Sequence, residues 1–128
     1  MYVPRSDVSE AVHSRISVCL ASPTSALSYD DLARWLDNLA GVLGERLLRL
    51  KGLVGVMEYE QPILVQSVGT LFAAPRPFGL PGAAASPFLV IIARDLQFAE
   101  LGAISPIGAF KFSGDGANRS LSLMHSTA

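Results

Sequence analysis

Residues 27–54 read LSYDDLARWLDNLAGVLGERLLRLKGLV, a stretch that contains a helix pattern followed by a strand pattern. Ser28 is a favourable N-cap, because its hydroxyl can accept a hydrogen bond from a free backbone N–H of the first turn. Leu27 and Leu32 occupy the two positions of a hydrophobic staple, and Gly44 is suited to ending the helix. One apolar face recurs at helical spacing and consists of Leu32, Trp35, Leu36, Leu39 and Leu43. The pattern predicts an amphipathic helix that buries this face, including its aromatic residue.

From Leu47 to Met57 the apolar period becomes two, which is typical of a strand with one buried face. The predicted buried face consists of Leu48, Leu50, Gly52, Val54 and Val56. Arg49 and Lys51 fall on the opposite face. This pair has two interpretations: a solvated sheet face with acidic neighbours such as Glu58 or Glu60, or a contact to another domain or to an anion.

Four further segments complete the predicted fold. Residues 16–20 alternate as a strand, and residues 63–72 form another strand that pairs with the second as a hairpin. Residues 88–93 are a continuous apolar run of strand length, which favours a central strand buried on both faces. Residues 95–101 form a short helix. The order predicts an α+β fold with a mostly antiparallel four-stranded sheet and helices packed on one face.

The chain has 128 residues, which suits one domain. We expect a leader or linker stump over residues 1–11 and a domain over 12–102. After Gly102 no period persists and Gly, Ser, Ala and Asn become common, so residues 103–128 are predicted to be a weakly ordered tail.

Composition excludes several function classes. The formal net charge is −1, with ten basic and eleven acidic residues, so we expect neither nucleic acid nor a membrane as partner. The single cysteine, Cys19, rules out an intramolecular disulfide and a thiolate zinc cluster. A reducing cytoplasmic location fits this usage best.

The sequence carries no recognisable catalytic motif. It contains no GxxxxGK[ST] phosphate cradle, and no HExxH, CxxC or GxSxG. A nucleophilic pair of Cys19 and His13 fails on geometry, because six strand residues separate them by roughly 20 Å. We therefore predict no catalytic, cofactor-binding or metal-binding residues in this chain.

A series of short motifs in order resembles the C-terminal domain of the CobW family of metallochaperone GTPases over about residues 13–101. Family members carry an H-x-[GR]-I-S-like opening, an R-x-K-G strand, a Q-x-V strand and an IGRDL-like strand end. Here Ala93 stands where the last motif usually has glycine. The matching segments are His13–Ser17, Leu32–Leu36, Leu48–Leu53, Val65–Gly69 and Leu89–Leu96.

The resemblance implies a non-catalytic binding or regulatory domain of a GTP-dependent metal chaperone. Whole members act in cobalamin synthesis or in zinc, cobalt or iron delivery, and their GTPase domain binds GTP, Mg and the metal. The partners implied are that GTPase domain, in cis or in trans, and a client metalloprotein. The residues carried over as an interaction surface are Arg49, Lys51 and Gly52, with His13 and Gln66.

Two alternatives from other classes stay open. A free-standing α+β domain could form a homo-oligomer through its sheet. A small enzyme of unknown reaction would need a pocket with convergent titratable groups, and the sequence offers few of these.

Overall fold

The computed structural model describes residues 15–79 and 88–114. The strands are β1 (Ile16–Pro23), β2 (Leu47–Val54), β3 (Ile63–Val68), β4 (Leu71–Phe72), β5 (Arg76–Pro77), β6 (Phe88–Arg94) and β7 (Phe110–Gly114). The helices are α1 (Tyr29–Leu43) and α2 (Phe98–Gly102), with a 3-10 turn at Gly44–Arg46. Neither of these two helices has the length and hydrophobicity of a transmembrane span.

All strands belong to one antiparallel sheet. Its order is β4-β3-β2-β6-β1-β7, and β5 pairs with β3 alongside β4. The predicted hairpin of the second and third strands is confirmed, as is the central place of β6 between β2 and β1. The α+β class with an antiparallel sheet is therefore confirmed, but the prediction of four strands is wrong, because the described residues alone form seven.

Helix α1 begins and ends as its sequence predicts. The Ser28 hydroxyl accepts a hydrogen bond from the backbone N–H of Asp31 at 2.9 Å, and the backbone N–H of Gly44 bonds to the carbonyl of Ala40. The predicted apolar face is buried as a whole, with Trp35 only 1% exposed. It packs against the alternating buried residues of the sheet in one hydrophobic core.

The predicted weakly ordered tail contains a strand. Phe110 and Phe112 of β7 project from the sheet towards the helix side, where both rings contact the indole of Trp35 at centroid distances of 4.3 and 6.3 Å. Phe98 of α2 meets the ring of Phe112 edge-on. The prediction of irregular structure after Gly102 is therefore wrong for Phe110–Gly114, because these aromatic contacts and the pairing with β1 hold the segment.

Two details of the sheet differ from the simple alternation. A bulge at Leu48 shifts the register of β2 against β6, so Leu47 is fully buried while Leu48 is half-exposed. An extra residue in a strand changes which side chains face the core.

In β6, Leu89 and Ile91 are buried, but Val90 on the other face is half-exposed. The prediction that this strand is buried on both faces is wrong within the described chain, because both helices pack on one face only.

Gly52 allows β2 and β6 to approach closely. A Cβ atom added at Gly52 would overlap the carbonyl oxygen of Phe88 and lie 2.8 Å from the Cα of Leu89. Any other residue would have to push the two central strands apart. The close approach alone accounts for a glycine at this position.

Candidate docking surface

The sheet face opposite the helices is covered by no helix or strand that the structure describes. We call it the open face. Its most exposed apolar side chains are Ile16, Val18, Val68 and Leu71, at 60%, 38%, 71% and 68% exposure. Half-buried apolar side chains join them, namely Leu20, Leu53, Leu64, Phe88, Val90 and Ile92. Exposed apolar side chains grouped on one face are typical of interaction sites.

Two rows of directly paired residues cross the open face. One row runs from Val18 through Ile92, Arg49 and Val68 to Leu71. The other runs from Leu20 through Val90 and Lys51 to Gln66. Both rows pass from aliphatic side chains to a cation on β2, which places the two cations among aliphatic side chains and Gln66.

Charge is segregated between the two sides of the molecule. Five basic residues lie in strands and all belong to the open face: Arg49, Lys51, Arg76, Arg94 and Lys111. None of the acidic residues in the described ranges lies within a strand; they occupy α1, α2 and the loops. The described strands therefore make the open face basic, whereas on the helix side Arg34 and Arg46 are paired with acidic residues.

The structure brings Arg49, Lys51 and Gln66 together on the open face. Lys51 lies directly opposite Gln66 across the β2–β3 pair, and Arg49 lies opposite Val68. Together with Leu71 they line a shallow pocket of about 240 Å³. The two cations are i and i+2 on one strand, so their Cα atoms lie about 7 Å apart.

The two other predicted surface residues are His13 and Gly52. His13 lies outside the described residues. Gly52 lies at the close contact between β2 and β6, directly opposite Leu89. Sequence reasoning missed Val68 and Leu71, which form the apolar wall of the pocket. The signal for Leu71 is Gly69, whose positive φ of 59° turns β4 back onto β3.

The remaining titratable groups with altered properties lie away from this surface. Arg46 holds Glu100 through two hydrogen bonds of 2.5 and 3.0 Å, and this contact lowers the pKa of Glu100 and raises that of Arg46. Burial raises the pKa of the Cys19 thiol to about 12, against a smaller opposite effect of the Ser113 backbone. Within 15–79 and 88–114, no three His, Cys, Asp or Glu side chains come together as a metal site.

Comparison with known proteins shows where this architecture belongs. Residues 16–104 match the family described as the cobalamin synthesis protein CobW C-terminal domain. The chain belongs to the CobW C-terminal domain family. No curated protein matches it in sequence.

The CobW C-terminal fold is also seen in crystal structures. The chain is similar to Zn(II)-bound YjiA GTPase from E. coli, with 23% identity and a TM-score of 0.60. The same values are found for a Zn(II)-bound triple mutant of YjiA. The match covers 69% of this chain and 28% of the YjiA chain. The described CobW C-terminal domain thus spans about a quarter of that relative's length.

Proposed function

We propose that this chain is a non-catalytic docking domain of a CobW-type, GTP-dependent metal chaperone, and that its open face binds the GTPase domain. The GTPase domain is supplied in cis or in trans. A client metalloprotein is the alternative occupant of the same face. The cellular setting we propose is the cytoplasm.

The observation that carries this proposal is the composition of β6. Its sequence, FLVIIAR, is that of a strand buried on both faces. In the described chain only the face that carries Leu89, Ile91 and Ala93 is buried, while Phe88, Val90 and Ile92 face the open side. A partner on the open face would complete the burial that this strand's composition favours.

Membership of the CobW family supports a GTPase domain as the partner. The YjiA relative is a GTPase and was crystallised with zinc, and most of its length lies outside the match. Zinc or cobalt needs three or four clustered ligands, which the described residues do not assemble. On the family resemblance we assign GTP, Mg and the transported metal to the GTPase partner, and binding or regulation to this chain.

A matched pair of variants tests this proposal. Val68 on the open face and Ile107 in the loop before β7 are 71% and 74% exposed, so Val68→Glu and Ile107→Glu should leave folding almost unchanged. The wild-type chain and both variants would be used to capture proteins from the source lysate with GTP and zinc present. Mass spectrometry then identifies what is recovered.

The wild-type chain and Ile107→Glu are expected to recover a protein with a GTP-binding P-loop, and Val68→Glu to lose it. Equal recovery with both variants would reject the open face as the docking surface. Sedimentation over a concentration series separates the dimerisation alternative, since a self-associating sheet would show a rising mass that Val68→Glu abolishes.

A further inference from the structure

The pocket on the open face is built around two cations without an internal counter-charge. Ion pairs within the described ranges are made by Arg34 and Arg46, so Arg49 and Lys51 have none there. Both are exposed, and both line the pocket with Gln66. Two unneutralised cations beside an amide that can donate further hydrogen bonds form a suitable site for an anionic oxygen ligand.

The surroundings of the pocket strengthen this electrostatic preference. Ile92 and Val68 flank Arg49, with Leu71 beyond Val68, and Val90 and Gln66 flank Lys51. When a partner covers such an aliphatic surround, water leaves the centre and the charged contact is less screened by salt. An uncompensated pair of cations would then be costly, so the partner must supply negative charge.

We propose that this pocket receives a carboxylate side chain from an acidic, apolar surface of the protein that docks on the open face. The proposal rests on the proposed function, because it specifies the chemistry of the partner at that same face. The carboxylate accepts hydrogen bonds from the Arg49 guanidinium and the Lys51 ammonium. An aliphatic neighbour of that carboxylate contacts Val68 and Leu71.

The observations favour a protein carboxylate over two other occupants. Nucleic acid prefers a surface with several stacking aromatic side chains, whereas the open face carries one aromatic side chain within the described strands, the half-buried Phe88. A second copy presenting the same face would oppose cation to cation, since no acidic residue within the described strands belongs to it. Charge complementarity therefore selects a different, acidic partner.

The direct test uses a capped Glu-Leu-Glu peptide titrated into the full-length, 15N-labelled chain, with a capped Gln-Leu-Gln peptide as the control. We expect saturable amide shifts centred on Arg49, Lys51 and Gln66 with the acidic peptide. The double variant Arg49→Gln, Lys51→Gln should weaken this binding about tenfold, the loss expected for charge-assisted hydrogen bonds. Raising the salt concentration should weaken it further.

Two matched single variants locate the effect. Arg34→Gln removes an exposed cation from α1, on the other side of the molecule, and should leave binding unchanged. Arg94→Gln removes a cation from the open face outside the pocket and should weaken binding much less than the double variant. If Arg94→Gln weakened binding as much as the double variant, binding would depend on the general positive potential of the open face and not on the pocket. That result would overturn the assignment.

Other outcomes also overturn the proposal. These are equal binding of the neutral peptide, no saturable shift within the solubility of the acidic peptide, or tighter binding of a single-stranded DNA oligomer at the same residues. Self-association lost in the double variant would identify a second copy as the occupant. The peptide titration uses no GTPase and therefore tests the pocket separately from the proposed function. If the acidic peptide binds but Val68→Glu captures the GTPase as well as the wild-type chain does, only the proposed function is rejected.

Discussion

The ring of Phe110 in the edge strand β7 lies 4.3 Å from the indole of Trp35 in helix α1, with the two planes inclined by 37°. This contact joins the last described strand to the first helix across more than half the length of the chain. Phe110 is only 6% exposed, so β7 contributes to the core. The C-terminal boundary of the folded unit therefore lies beyond residue 104, where the family match ends.

Replacing Phe110 with alanine is expected to lower the free energy of unfolding by about 3 kcal/mol, because it removes a buried aromatic ring that the surrounding core cannot fully replace. Urea denaturation followed by Trp35 fluorescence measures the change. Lys111→Ala on the same strand is the control and should stay within about 0.5 kcal/mol, since that side chain is exposed. If both variants behaved alike, β7 would not dock on α1 in solution.

Local signals explain which elements could be predicted. The cap at Ser28 and the apolar face of α1 are encoded within one segment, and the structure confirms both. The strand β7 was missed because the alternation Phe110-Lys111-Phe112 covers only three residues and is set among Gly and Ser. Its order depends on pairing with β1 and on Trp35, which lie far away in sequence.

In the candidate surface, too, some residues could be predicted from local sequence patterns and others could not. Arg49 and Lys51 could be placed on one face from strand periodicity, and register then sets Gln66 directly opposite Lys51. Leu71 could not be assigned to the pocket, because its position beside Val68 depends on the turn at Gly69. The exposure of this face could not be predicted either, because an apolar strand has the same composition whether its second face is covered by its own chain or by a partner.

Gly52→Ala should destabilise the fold by about 2 kcal/mol, because the added methyl group would force β2 away from β6 at the centre of the sheet. Gly55→Ala is the matched control three residues later, where an added Cβ meets nothing within 4 Å. Its stability should be unchanged or about 0.5 kcal/mol higher, since alanine restricts the unfolded chain. Thermal unfolding of both variants measures the difference, and similar values would place the strands further apart than the structure does.

The Arg46–Glu100 pair predicts a defined acid sensitivity. Hydrogen bonds from Arg46 lower the pKa of Glu100 below its ordinary value, so the folded state favours the carboxylate. The stabilisation is present above the ordinary pKa of a glutamate and is lost as pH falls through the lowered folded value. Glu100→Gln should cost about 1 kcal/mol at neutral pH, and its difference from wild type should shrink towards zero in acid.

Urea unfolding across a pH series between neutral and strongly acidic conditions checks this expectation. Glu60→Gln serves as the control, because Glu60 is exposed and belongs to none of the ion pairs in the described ranges. A pH-independent effect of Glu100→Gln would mean that the residue acts through its place in α2, where it accepts a hydrogen bond from the Gln97 backbone N–H, and not through its charge.

The buried thiol of Cys19 predicts a loss of stability at alkaline pH, in contrast to the loss in acid expected for Glu100. Burial raises the pKa of its thiol to about 12, whereas the thiol of an unfolded chain ionises at about 8.5. Above that lower value the unfolded state loses a proton that the folded state keeps, so stability falls by about 1.4 kcal/mol per pH unit until the folded pKa is reached. Cys19→Ala lacks this dependence, and its stability relative to wild type should therefore rise between pH values of about 8 and 10. A thiol reagent provides the independent check, because the native thiol should react only as fast as the chain unfolds, and rapid reaction of the folded protein would contradict the burial of Cys19 in the core.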